Sequence, residues 1–304
     1  MKSIDKKLSI FLVLMIILTM ISACNSSTYA ESDTIIISAD SLSDYIGADN
    51  VVIVDMQSAN DYAARHVEGA VNITKSEIVT GDGNMLPDEA TIETLLGSNG
   101  ISNDTTVIVY DSDNMTASRM VWTLFMYGHQ NVLLVDGGIK AIKNTEGITL
   151  TTEKTTPVAT TFDAVYDDEW IADYQDVLNQ VNDPDENTIL LDVRTDEEYA
   201  ESGKVPSSVM VDYTTNFYSD GTFKDTQTTK INYLDDGIYP ENEVIMYCQT
   251  SMRAAAVFVR LYDAGYRNLK VYDGAYLEWS SNPDSPIDMP STDSDTVTDT
   301  EDAS

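Results

Sequence analysis

The chain has 304 residues, of which 17 are Lys or Arg and 51 are Asp or Glu, giving a formal net charge of −34 at pH 7. A length of that order suits two domains of ordinary size. So large an acidic excess excludes nucleic acid as a partner and leaves no electrostatic attraction to anionic lipid.

Residues 1–23 have the pattern of a secretion signal and not of a spanning helix. Lys2, Lys6 and Lys7 make a basic start, 8–20 is an apolar run, and Ile21-Ser22-Ala23-Cys24 closes it with small residues before a cysteine. That closing tetrapeptide resembles a bacterial lipobox, which implies cleavage before Cys24, lipid on its sulfur and attachment to the extracytoplasmic face of the cell membrane. The alternative is an ordinary secretory signal with an incidental cysteine. Residues 24–34 then form a short polar tether. Lipid on Cys24 would leave Cys248, the other of the two cysteines, with no partner for an intramolecular disulfide.

From residue 35 onward, short apolar and β-branched runs alternate with helical patterns. Strands are expected at 51–54, 107–110 and 132–135, with a helix over 117–127. A Thr- and Pro-bearing linker occupies 151–164. Strands follow at 189–191, 244–247 and 269–272, with a helix over 253–264. This alternation predicts an α/β fold with parallel sheets flanked by helices, whose sites form beyond the carboxyl ends of strands. Residues 288–304, almost wholly Asp, Ser, Thr and Glu, have too few apolar groups to offset ordering entropy and are expected to be a disordered acidic tail.

The two sets of elements are one set repeated. Val107-Ile108-Val109-Tyr110-Asp111 aligns without a gap on Val244-Ile245-Met246-Tyr247-Cys248, an offset of 137. Asp55 and Asp192, Gly128 and Gly265, and Asp136-Gly137 and Asp273-Gly274 keep that offset, while His66-Val67 matches Lys204-Val205 after a shift of one residue. The chain is therefore a duplicated domain, 35–150 and 165–287.

Cys248 stands where an expected strand runs into a helix beginning near Arg253. Loop N–H groups and the first N–H groups of that helix point at one spot, where an anion is stabilised. A helix N-terminus and a neighbouring cation lower a thiol below its ordinary value near 8.5, and Arg253 supplies the cation. Gln249, Thr250 and Ser251 are polar and would offer amide and hydroxyl donors to a second anion, with Met252 the one apolar exception. The alternative is a buried structural thiol. At the duplicate positions stand Asp111 and Thr116, and a carboxylate can neither accept sulfur nor act as a soft nucleophile, so the first half is expected to be silent. Arg119 and Trp122 are expected to stabilise that half or its interface.

Metal binding finds little support. Asp111-Ser112-Asp113-Asn114 starts like a calcium loop, but its sixth position is Thr116 and its twelfth Trp122. His66 and His129 lie far apart and near no motif of zinc spacing. Neither a metal nor a cofactor is expected.

The duplication, the strand–Cys–loop–Arg–helix unit, and Tyr272-Asp273-Gly274 followed by Glu278-Trp279 together resemble the rhodanese family, in its tandem-domain form, over nearly all of the mature chain. His66-Val67-Glu68-Gly69-Ala70-Val71-Asn72 is similar to the family's H-I-P-G-A-x-N segment, and Asp192-Val193-Arg194 to its D-x-R. Cys248–Arg253 is similar to the C-Q-T-x-x-R loop of bacterial thiosulfate sulfurtransferases, with Ser251 where glycine is frequent. The resemblance implies two rhodanese-like domains and ping-pong sulfur transfer through a Cys248 persulfide, from a small-molecule donor to cyanide or a thiol. It implies Cys248 and Arg253 as catalytic, 249–252 as the substrate-binding loop, and Asp192 and Arg194 as support. Thiosulfate is the expected donor, because mercaptopyruvate-using relatives carry an arginine where this chain has Glu198. Relatives that act as phosphatases have one more loop residue than the four between Cys248 and Arg253. Two other readings stay open: a mercaptopyruvate sulfurtransferase, and a surface binding module that keeps the fold without chemistry. Oligomeric state is not legible.

Overall fold

The computed structural model describes residues 34–290. The expected signal, Cys24 and most of the acidic tail lie outside those residues. Among the described residues no helix is long and apolar enough to cross a membrane.

Two five-stranded sheets carry the fold, and every pairing within them is parallel. The first runs β1 (Ile36–Ile37), β6 (Val132–Val135), β5 (Thr106–Tyr110), β2 (Val51–Asp55), β4 (Val71–Asn72). The second runs β8 (Ile171–Ala172), β12 (Leu269–Tyr272), β11 (Glu243–Tyr247), β9 (Thr188–Asp192), β10 (Val209–Met210). A short antiparallel pair joins β3 (His66–Val67) to β7 (Leu150–Thr151). The central β5 and β11 are buried from their second residue onward, as continuous apolar runs covered on both faces must be.

The duplication holds at the level of element boundaries. Helix Met115–Met126 and helix Met252–Asp263 begin and end 137 residues apart, as do β2 and β9, β5 and β11, and β6 and β12. Both helices start two residues or one residue earlier than the apolar pattern implied, because each follows a left-handed residue, Asn114 (φ 68°) or Ser251 (φ 60°). Each is followed by a glycine at positive φ, Gly128 or Gly265, where the chain must reverse out of the helix.

These two helices pack on each other between the domains. Ala117–Met126 and Ala254–Asp263 are buried throughout. Phe125 meets Phe258, Tyr262 and Trp170 edge-on at ring-centre distances of 5.6, 4.9 and 5.4 Å. One apolar core thus continues from the first domain into the second.

The expected linker is fastened along the first domain: Thr151 pairs with His66, Thr160 N donates to Gly97 O, and Phe162 is buried. Asp288, the first residue of the expected tail, instead exchanges both backbone hydrogen bonds with Lys204. A backbone pair of that kind needs nothing from the side chains, so composition gave no sign of it.

Candidate active site

Strand β11 delivers Cys248 to its carboxyl end, and the loop Gln249-Thr250-Ser251 turns directly into helix Met252–Asp263. The loop is pinned from behind: Tyr276 N donates to Cys248 O (2.9 Å) and Leu277 N to Gln249 O (3.2 Å). Cys248 is 1% exposed, with Gln249 and Thr250 half-buried beside it. Burial alone is what a structural thiol would show, so the surrounding donors decide the reading.

The first half displays what those donors hold. At the duplicate position, the Asp111 carboxylate accepts from Asp113 N (3.1 Å) and Asn114 N (2.6 Å) on one oxygen, and from Thr116 N (2.7 Å) and Ala117 N (3.0 Å) on the other. Burial pushes its carboxyl up to about 6, against the lowering that the backbone N–H groups bring. The corresponding groups in the second half are the N–H groups of Thr250, Ser251, Arg253 and Ala254. Their loop has the same turn, with the same left-handed residue before the helix. The segment Asp111–Asn114, which only starts like a calcium loop, thus holds a carboxylate bound by backbone.

Arg253 reaches across to Glu198 with a two-armed contact, Nη1 to Oε2 at 2.6 Å and Nη2 to Oε1 at 2.7 Å. Glu198 is fixed by its own helix start: Thr195 N donates to its carboxylate and its N–H bonds Thr195 Oγ1. The guanidinium is held above its ordinary value first by these Glu198 hydrogen bonds, against the lowering that burial brings. Glu198 is correspondingly brought down to about 2 by Arg253. The cation expected beside the thiol is therefore present, but shared with a carboxylate that sequence spacing did not suggest.

Asp192 and Arg194 form a fully buried ion pair at 2.6 Å. Arg194 also donates to Ser202 Oγ and Gly203 O, and its guanidinium lies 3.6 Å from the Tyr276 ring centre. Its contacts run to the helix that pins the loop and not to the sulfur.

Ser251 corrects the expectation for the loop. Its hydroxyl is fully buried and faces the other domain, accepting from Arg119 Nη1 (2.8 Å) and lying 3.1 Å from Asp273 Oδ1. Its Oγ is taken up by Arg119, Thr250 O and Asp273, so the donor this residue offers the cradle is its backbone N–H. Met252 opens the helix and remains half-buried. Arg119 and Asp273 were not singled out for the site, although the repeated Asp136-Gly137 and Asp273-Gly274 marked one of them. Among the described residues no group of three or more His, Cys, Asp or Glu converges on a metal position. A cavity of about 920 Å³, lined by Trp170, Asp173, Glu243, Arg267 and Lys270, lies at the amino ends of β11 and β12, the wrong end of the sheet for Cys248.

The profile of the rhodanese-like domain matches residues 38–145 and again 173–282. Over 277 residues the chain is 31% identical to a Mycobacterium leprae protein provisionally named a thiosulfate sulfurtransferase, covering 86% of this chain and 99% of that one. It is 27% identical over 267 residues to the thiosulfate sulfurtransferase of Pseudomonas aeruginosa, with coverage of 84% and 97%. Among solved structures, SseA from Escherichia coli, described as a 3-mercaptopyruvate sulfotransferase, matches at TM-score 0.72 and 23% identity over 80% of this chain and 98% of that one. An anaerobic ergothioneine biosynthesis enzyme from Chlorobium limicola matches at TM-score 0.76 and 18% identity, covering 84% of this chain and 70% of that one. At such identities the structural likeness speaks for the fold alone.

Proposed function

The chain belongs to the rhodanese family, with two tandem copies of the family's domain, and we propose that it moves sulfane sulfur from thiosulfate to cyanide or a thiol through a persulfide on Cys248. In the first step the Cys248 thiolate attacks the outer sulfur of thiosulfate. A bond forms between the two sulfurs, the bond to the sulfonate sulfur breaks, and its electron pair leaves with sulfite. In the second step the acceptor attacks the outer persulfide sulfur, and the electron pair of the S–S bond returns to Cys248. No general base is required once the thiolate exists. The loop N–H groups and Arg253 hold the anionic sulfur through both steps.

One observation carries this reading: the duplicate loop of the first half grips the Asp111 carboxylate with four backbone N–H groups, and the same turn in the second half presents a thiol. Thiosulfate is preferred over mercaptopyruvate because Glu198, which engages both arms of Arg253, stands where mercaptopyruvate-using relatives carry an arginine able to pair with the donor carboxylate. The chain is further proposed to be tethered outside the cell by lipid on Cys24, which rests on the sequence pattern of residues 1–24.

The test uses the chain beginning after Cys24, with Cys248→Ser as control. Thiosulfate should add the mass of one sulfur to Cys248, and cyanide should then release thiocyanate. Thiocyanate at the control level, with no added sulfur, would exclude the enzyme and leave a binding module. Faster turnover with mercaptopyruvate than with thiosulfate would reverse the donor assignment.

A further inference from the structure

The half that carries Asp111 also contributes to the Cys248 loop. Arg119, in the middle of helix Met115–Met126, is fully buried and extends into the second domain. Its Nη1 donates to Ser251 Oγ (2.8 Å) and to Asp273 Oδ1 (3.0 Å), while Nη2 donates to the same Asp273 oxygen (3.0 Å) and to Asn84 O (2.7 Å). The guanidinium lies 4.4 Å from the Trp122 ring centre.

Comparison of the two halves isolates what is special here. Each domain lays a loop on the other: Leu86 N donates to Asp273 Oδ2 (2.8 Å), and its duplicate Phe223 N donates to Asp136 Oδ1 (3.0 Å). In the first half the left-handed residue, Asn114, reaches with its own amide both Asp136 Oδ1 and Gly221 O, each at 3.1 Å. In the second half that residue is Ser251, whose side chain is too short for both contacts. Arg119 completes them, bonding the hydroxyl, the aspartate and the carbonyl of Asn84, which is the duplicate of Gly221. The duplicate of Arg119 is Ala256, so nothing of the kind supports the Asp111 loop.

We infer that Arg119 is a positioning residue for the Cys248 loop, holding Ser251 in its left-handed conformation so that the loop N–H groups stay aimed at the sulfur. A non-glycine residue in that conformation is disfavoured by itself and needs contacts that fix it. Arg119 supplies them from another domain, together with a buried positive charge. The inference deepens the sulfur-transfer reading and rests on it only for the turnover arm of its test.

Two readouts are compared on the full chain: the second-order rate of Cys248 alkylation by iodoacetamide, which needs no sulfur donor, and single-turnover sulfite release from thiosulfate. Arg119→Met should slow both by about tenfold or more, the loss expected when a buried charge-assisted hydrogen bond is removed. Arg119→Lys should recover part of the rate, and Ser251→Ala added to Arg119→Met should cost nothing further. Asp263→Ala is the control, since Asp263 fastens Ile35 N and Ile36 N at the far end of the same interface. It should lower Tm and leave both rates within about twofold. Alkylation by Arg119→Met within about twofold of the unaltered chain overturns the inference, and so does an equal slowing by Asp263→Ala. Should Arg119→Met fail to fold, Arg119→Lys, which keeps the charge but lacks the fork, carries the same comparison. A chain that alkylates normally yet releases no sulfite refutes the sulfur-transfer reading, and the alkylation series then decides the role of Arg119 alone.

Discussion

Arg253 and Glu198 form an ion pair beside the Cys248 loop, and its strength has a pH signature. Folding lowers the Glu198 carboxyl from 4.5 to about 2, chiefly through the Arg253 hydrogen bonds. A carboxyl lowered by folding contributes stability that is complete above its ordinary value and is lost as pH falls toward its folded one. The contribution of this pair is therefore full at neutral pH and fades between 4.5 and about 2. The side chains are 21% and 29% exposed, so water screens part of it. Glu198→Gln should lower Tm at neutral pH, and the gap from the unaltered chain should narrow steadily as pH drops from about 5 to about 3. Thermal unfolding across that range measures it, and a constant gap would remove the ion pair as the cause. At this scale Cys248 and Arg253 were legible because thiol and guanidinium announce their chemistry by type and by spacing of five residues. Glu198 was legible only as the residue standing where some relatives carry an arginine, and Arg119 only as a stabiliser of its half or the interface; their bonds to Arg253 and Ser251 were not, because the fold brings those partners from 55 and 132 residues away.

The strand–loop–helix unit is a backbone device that works with different contents. In the first half its four N–H groups are filled by Asp111, which acts as an internal cap for helix Met115–Met126. In the second half the same turn surrounds the Cys248 thiol in place of a carboxylate. Removing the first-half anion should therefore expose what the cradle is worth to the fold. Asp111→Ala should cost about 1–2 kcal/mol, the usual loss for a helix cap, read as a shift of the urea midpoint, with sulfur transfer reduced far less than by changes at Arg253. An unchanged midpoint would mean that water replaces the carboxylate at no cost. Strands and helices of this unit were readable from apolar periodicity, and its duplication from a constant offset. Occupancy of the first-half cradle by its own aspartate was not readable, because a carboxylate standing where the other half has a thiol looks in sequence like simple loss of chemistry.

At the scale of the molecule, the same duplication that made the two domains visible conceals how completely they merge. Sequence marks a boundary at a Thr- and Pro-bearing stretch, but the core ignores it, running from Val54 and Phe125 through Trp170 to Phe258 and Val244. Helix Met115–Met126 packs on the first sheet, helix Met252–Asp263 on the second, and the two pack on each other, which composition shows only as helices that are apolar on more than one face. Asp263 adds a polar tie by accepting the N–H groups of Ile35 and Ile36 at the start of the first sheet. Neither domain can open without stripping the other, so the two should unfold as one. Trp122 and Trp170 report on the shared core, while Trp279 lies in a separate cluster of the second domain. Trp fluorescence and far-ultraviolet circular dichroism should therefore trace a single coincident urea transition. Phe125→Ala, which removes the ring that meets Phe258, Tyr262 and Trp170, should destabilise the whole chain by about 3–5 kcal/mol. Two resolved transitions in the unaltered chain would show instead that the domains fold independently, and that the support reaching Cys248 from Arg119 can be withdrawn without unfolding the half that contains it.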